Sequence, residues 1–159
     1  MPEPKMTPTS VRPATEDDLV PLLSLGEAMH AESSYAHMPY SPEATAATLI
    51  GLLENPDSLI AVATDGHSIT GVLLARVTSG YFTTARLAED LALYVRPQDR
   101  GSTAATMLMR HYLAWAQGRG VRRIELANGA GTDDTGFARL GAFFGLRRVG
   151  SILYREIDP

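Results

Sequence analysis

The chain has no cysteine at all, which removes disulfides, thiolate metal sites and a cysteine nucleophile in one step. Lysine is nearly absent too: Lys5 stands alone beside thirteen arginines. That balance suits planar, bidentate phosphate contacts, and a compositional bias of the genome would give the same count. No apolar run approaches the roughly 20 residues that span a bilayer. Residues 1–10 lack a signal-peptide core, so a cytoplasmic protein that does not enter the membrane is expected. The net charge of −4 offers no broad basic face, which disfavours nucleic acid as the main partner. His30, His37, His67 and His111 show no metal-ligand spacing, so no metal site is expected. Neither a Gly-x-Ser-x-Gly elbow nor a Gly-x-x-x-x-Gly-Lys nucleotide loop occurs.

What is present is ordinary in bulk. At 159 residues, with 45% hydrophobic and 20% charged residues, the chain fits one domain with a substantial core. Residues 1–10, with three prolines among the first eight, read as a flexible lead-in, and the domain is expected over residues 11–159. Val11 to Ala14 reads as an edge strand, since Pro13 needs no ladder donor there. Thr15 before Glu16, Asp17 and Asp18 marks a helix start that runs toward His30. Ser41 and Pro42 cap a second helix ending near Asn55. Ser58 to Ala63 and Ile69 to Val77 are β-branched runs joined by Asp65-Gly66, a hairpin signal. Leu91 to Val95 is a further strand, and Thr103 to Gln117 a helix with Leu108 and Tyr112 on one broad face. Arg123 to Ala127 is a strand, Asp134 to Phe144 a helix, and Leu146 to Ile157 supplies one or two last strands. The order is mixed α/β, without an internal repeat.

The densest information lies between Glu89 and Trp115. A strand ending at Val95 passes through Arg96-Pro97-Gln98-Asp99-Arg100-Gly101-Ser102-Thr103 into a helix. Such a turn aims unpaired backbone N–H groups and the positive end of the helix dipole at one point, which makes an anion site. Gln98-Asp99-Arg100-Gly101-Ser102-Thr103 resembles the Gln/Arg-x-x-Gly-x-Gly/Ala motif of the Gcn5-related N-acetyltransferases (GNAT). The order of elements resembles that family over roughly Val11 to Ile157. The resemblance implies an α/β GNAT fold: a mixed central sheet of about six or seven strands, splayed at the acetyl-CoA site and flanked by about four helices.

It also implies roles. Acetyl-CoA would be the co-substrate, its pyrophosphate held by Gln98, Arg100, Gly101, Ser102, Thr103, Ala104 and Ala105, with Asn128 a further contact. Thr103 departs from the family's small residue. Leu93, Tyr94 and Val95 would pair with the pantetheine arm, and the Leu93 N–H would polarise the thioester carbonyl. Glu89 matches the family's general base; it shares a strand face with Leu91 and Leu93 by period-2 alternation, whereas Asp90 points the other way unless a bulge intervenes. The family's tyrosine acid falls on Gly141, four residues before Gly145-Leu146, leaving Tyr94, Tyr112 and Tyr154 as substitutes in name. Glu27, His30, Glu32 and Tyr35, clustered with His37 and Tyr40, are candidate contacts for a cationic amine acceptor. The implied activity is direct acetyl transfer to a primary amine of a small molecule or a peptide, and a homodimer is compatible with it. A non-catalytic acyl-CoA-binding module and a toxin-like acetyltransferase of aminoacyl-tRNA are the alternatives, the latter disfavoured by the net charge.

Overall fold

The computed structural model describes residues 8–159. The first seven residues of the expected flexible segment lie outside the described residues, and Ser10 already opens a strand. The elements run β1 (Ser10–Pro13), α1 (Leu19–Glu32) after a short 3-10 turn, α2 (Pro42–Glu54), β2 (Ser58–Thr64), β3 (Ile69–Ser79), β4 (Arg86–Val95), α3 (Ala104–Gln117), β5 (Arg123–Ile124) and α4 (Asp134–Phe143). The strands form a mixed sheet in the order β1-β2-β3-β4-β5. Neighbours are antiparallel except β4 and β5, which run parallel.

Local chemistry sets the helix starts. The Ser41 hydroxyl accepts the Ala44 N–H at 3.1 Å with Pro42 at the first helical position, as a capping residue should. Asp18 acts before α1: its carboxylate accepts the Thr15 N–H at 2.8 Å and is gripped by Arg12 at 2.7 and 2.9 Å. Those bonds hold the Asp18 carboxyl down to about 2 against the opposing effect of burial.

The sheet is covered on both faces. Leu22, Leu25, Leu49 and Leu52 of α1 and α2 pack on Ile60, Val62, Val72 and Tyr94. On the other face Leu108, Met109 and Tyr112 of α3 sit on Ala61, Ala63, Leu73, Ala75 and Ala88. The row of alanines lets α3 approach closely. Gly71 extends it, since a Cβ there would lie 2.9 Å from the Tyr94 carbonyl and 3.3 Å from Leu108. Burial on both faces explains why β2 and β3 read as continuous apolar runs.

The sheet has five strands among the described residues, where six or seven are expected from the sequence. Residues 146–157 form no strand, and Val149, Ile152, Leu153, Tyr154 and Ile157 stay exposed. Without a face to bury, their apolar alternation has nothing to fix a register. β5 stops at Ile124 instead of reaching Ala127, because the Ala127 N–H goes to the side chain of Asp90 at 2.7 Å in place of a ladder partner. β4 begins five residues before the expected Leu91, its first half pairing with the outer half of β3. No helix of the described residues is long and apolar enough to cross a membrane.

Candidate active site

The site is built by one irregularity. In the β3–β4 ladder Leu74 faces Ala92 while Ala75 faces Asp90, so Leu91 is an extra residue, a β-bulge. Before it, the Arg86 and Ala88 carbonyls accept the Arg122 and Glu125 N–H groups, so even-numbered residues of β4 turn their backbone toward β5. After it the parity is reversed. The Arg96 N–H donates to the Thr70 carbonyl on β3, and the Val95 carbonyl accepts Arg100 Nε at 3.0 Å. Leu93 and Val95 therefore turn their amides toward the side from which β5 has withdrawn.

The same bulge decides where the two acids go. The expectation that Glu89, Leu91 and Leu93 share a face is overturned, because the extra residue breaks the alternation. Glu89 pairs with Arg76 across β3 at 2.7 Å and is absent from the wall of the cavity that opens between β4 and β5. Asp90 lines that cavity. Burial pushes its carboxyl up to about 6, with the charges of Glu89 and Glu125 adding to the effect and the Ala127 N–H opposing it.

The cavity encloses about 1080 Å³ between α1, β4, the loop after β4, and α4. At its loop end Gly101 adopts φ +89° and a Cβ there would meet open space, so the backbone lies bare to the cavity. The Arg100 N–H is taken by Pro97, the Ser102 N–H by Asp99, and the Ala104 N–H by the Ser102 hydroxyl at 3.2 Å. Among the described residues the N–H groups of Gly101, Thr103, Ala105 and Thr106 have no partner in the chain, the orphan donors of a helix start. With the open amides of β4 they make a bare row fit to hold an elongated phosphate-bearing thioester.

The residues expected at the site divide cleanly. Leu93, Tyr94, Val95, Arg100, Gly101, Ser102, Ala105 and Asn128 line the cavity, as do His30 and Tyr35. Gln98 and Glu27 are exposed outside its wall, Ala104 is buried, and the Thr103 hydroxyl lies against Met107 sulfur at 3.5 Å. Glu32 joins α1 to the loop: it accepts the Tyr94 hydroxyl at 2.5 Å and Arg100 Nη2 at 2.9 Å. Those two bonds outweigh burial and lower the Glu32 carboxyl, while burial and Glu32 raise the Tyr94 hydroxyl to about 12. The Asn128 amide donates to the Thr132 carbonyl at 3.0 Å and so pins the loop before α4.

Of the substitute tyrosines, Tyr94 alone lines this cavity. Tyr112 is buried and donates to the Glu125 carbonyl at 2.8 Å, and Tyr154 belongs to a smaller cavity under the chain end. Gly141 is outside the wall, and a Cβ there would point to Leu146 at 3.8 Å. Tyr40, also expected near the acceptor, lines the cavity too, whereas sequence reasoning missed Leu91, Phe137 and Arg139 on its wall. Phe137 and Leu140 at i, i+3 on α4 were the legible signal; nothing in the sequence marks Leu91 as a bulge.

Known proteins share this arrangement of elements. The fold is similar to that of the aminoglycoside N-acetyltransferase AAC(6')-Iy in complex with a bisubstrate analogue, CoA-S-monomethyl-acetylneamine, with a TM-score of 0.76 and 13% identity over 95% of this chain and 99% of that one. It is similar to AAC(6')-IG from Acinetobacter haemolyticus, an aminoglycoside 6'-N-acetyltransferase (TM-score 0.72, 21% identity, 94% and 99% covered). A third is an aminoglycoside acetyltransferase from an uncultured soil metagenomic sample in complex with sisomicin (TM-score 0.67, 20% identity, 94% and 97% covered). At such identities the likeness is one of fold. No curated protein matches the chain. The model of the acetyltransferase (GNAT) family matches residues 24–142, well over half of the chain. The chain belongs to the GNAT acetyltransferase family.

Proposed function

We propose that the protein is an acetyl-CoA-dependent N-acetyltransferase that passes an acetyl group directly to a primary amine in a ternary complex. The observation that carries this reading is the row of free backbone donors, from Leu93 and Val95 on β4 to Gly101, Ala105 and Thr106, along one wall of one cavity. The neighbour crystallised with a CoA bisubstrate analogue supports acetyl-CoA as the co-substrate, which supplies an activated thioester.

The chain's own groups then have distinct tasks. The Gly101, Ala105 and Thr106 amides hold the pyrophosphate at the start of α3. The Leu93 N–H donates to the thioester oxygen as negative charge develops there, an interaction worth roughly 2.7–4 kcal/mol in comparable sites. Asp90 takes the ammonium proton, since a carboxyl near pH 6 is ionised at neutral pH and still a usable base. The amine nitrogen forms the C–N bond to the acetyl carbon, the C–S bond breaks with its electron pair on sulfur, and one proton is released. Gly141 at the family's tyrosine position favours a second reading, an acyl-CoA-binding module without turnover.

Release of free thiol from acetyl-CoA in the presence of an amine panel separates the two readings: the first requires amine-dependent release, the second none. Acetyl-CoA should also raise Tm by binding the native state alone, and Gly101→Glu should abolish that rise by filling the bare loop. An unchanged rise in the folded variant would remove the loop from the site.

A further inference from the structure

Past the bulge, the sheet holds the end of β4 from one side only. β3 pairs with it through Gly71, Val72 and Leu73, while β5 ends at Ile124, opposite Ala88. The peptide units that present the Leu93 and Val95 amides therefore lie on an open strand edge, where no ladder partner fixes their tilt. Their tilt matters to the chemistry. A donor aimed at a reacting carbonyl is worth most when it needs no rearrangement, and a small misplacement in a reacting site is costly.

Side chains supply the tethers that the sheet lacks. On the open edge the Val95 carbonyl accepts Arg100 Nε at 3.0 Å, where a strand partner would otherwise bond. Between the two amides Tyr94 is buried, 2% exposed, among Leu22, Leu25 and Val72, and the Arg100 guanidinium lies 5.5 Å from the centre of its ring. Both tethers end on one carboxylate. Glu32, the last residue of α1, accepts the Tyr94 hydroxyl on Oε1 at 2.5 Å and Arg100 Nη2 on Oε2 at 2.9 Å. Tyr94 and Arg100 line the cavity, whereas Glu32 stands behind them, outside its wall. An acid beside this loop opposes the binding of an anionic cofactor, so what it brings to the site is geometry and not attraction.

We propose that Glu32 is a positioning residue: by holding Tyr94 and Arg100 together it sets the direction of the Leu93 and Val95 amides, and with it the polarisation of the bound thioester carbonyl. The inference rests on the N-acetyltransferase reading and deepens it. Glu32 itself takes no proton and meets neither substrate. Its removal has two effects of opposite sign. The amides lose their aim, and Arg100, left without its counter-charge, attracts the cofactor's phosphates more strongly.

The test saturates wild type, Glu32→Ala and Glu32→Gln with acetyl-CoA carrying ¹³C at the thioester carbonyl, records the infrared stretch of that carbonyl, and measures Kd by calorimetry. Wild type should lower the stretch below that of free acetyl-CoA. Glu32→Ala should return it most of the way to the free value while binding acetyl-CoA as tightly as wild type or tighter. Glu32→Gln keeps the length of the side chain and one acceptor oxygen, so its stretch should fall between the two, and it carries the test alone if the alanine variant does not fold. A role confined to holding the fold together would weaken affinity and polarisation in step, and that result overturns the inference. A lowered stretch that both variants leave in place overturns it as well, with the transferase reading intact. If wild type binds acetyl-CoA and leaves the stretch at its free value, or does not bind it, the transferase reading falls and the inference falls with it.

Discussion

Asp90 and Asp18 show how opposite environments give one residue type opposite duties. Asp90 gains burial and neighbouring acids and rises to about 6; Asp18 gains an arginine and a backbone donor and falls to about 2. The consequences for stability have opposite signs. The contribution of Asp90 is fully present below the ordinary carboxyl range near 3.8 and is lost as pH rises through about 6. Asp90→Asn, which keeps an acceptor for Ala127, should therefore raise Tm at pH 8 and have no such effect at pH 4. The same substitution should lower kcat/KM by roughly 10²–10⁴-fold and remove the rising limb near pH 6, while Glu89→Gln changes the rate far less. A larger loss with Glu89→Gln would return the base to that side chain. Asp18 contributes above pH 3.8 and loses its contribution as pH falls through about 2. Asp18→Asn should cost about 2 kcal/mol in urea unfolding at pH 7, with the gap to wild type closing toward pH 2.

At the scale of elements, close approach decides what each glycine can become. Gly71 on β3 faces Val95 in the ladder, and a Cβ there would press on the Tyr94 carbonyl and Leu108. Gly71→Ala should cost roughly 1–3 kcal/mol by overpacking and should disturb the end of β4, where the open amides begin. Gly51 in α2 has nothing within 4 Å of a new Cβ. Gly51→Ala should stabilise by up to about 1 kcal/mol on helix propensity. Paired urea denaturation of the two variants checks both signs, and equal effects would contradict the packing described here. Helices were the elements most legible in the sequence, because a cap such as Ser41-Pro42 has local chemistry. The strands around the site were less so. The Glu89-Asp90 pair interrupts the apolar run of β4 and hid its first half, and β5 ends early because of a side chain 37 residues away. The apolar residues from Val149 to Ile157 alternate as a strand would, yet no partner face receives them.

For the whole molecule, the candidate site was legible where it is backbone and illegible where it is side chain. The loop from Gln98 to Thr103 announces free amides through Gly101 and the helix start that follows, and the cavity lies there. Which acid faces the cavity depends on a one-residue bulge, invisible in a sequence whose alternation favours Glu89. The fate of Glu32, tied to Tyr94 and Arg100, depends on α1 meeting the loop 68 residues further along the chain. These long-range contacts are what give the cavity its charge balance.

The central claim is that a thioester cofactor lies along the bare amide row, and a ¹⁵N-resolved titration with acetyl-CoA tests it directly. Five free amides on the cavity wall should shift most: Leu93, Val95, Gly101, Ala105 and Thr106. The Arg100 and Ser102 N–H groups, already bonded within the loop, should move less. Saturation with acetyl-CoA that leaves those five amides unmoved, or that moves instead the amides of the hairpin tip around Tyr81, would contradict the account.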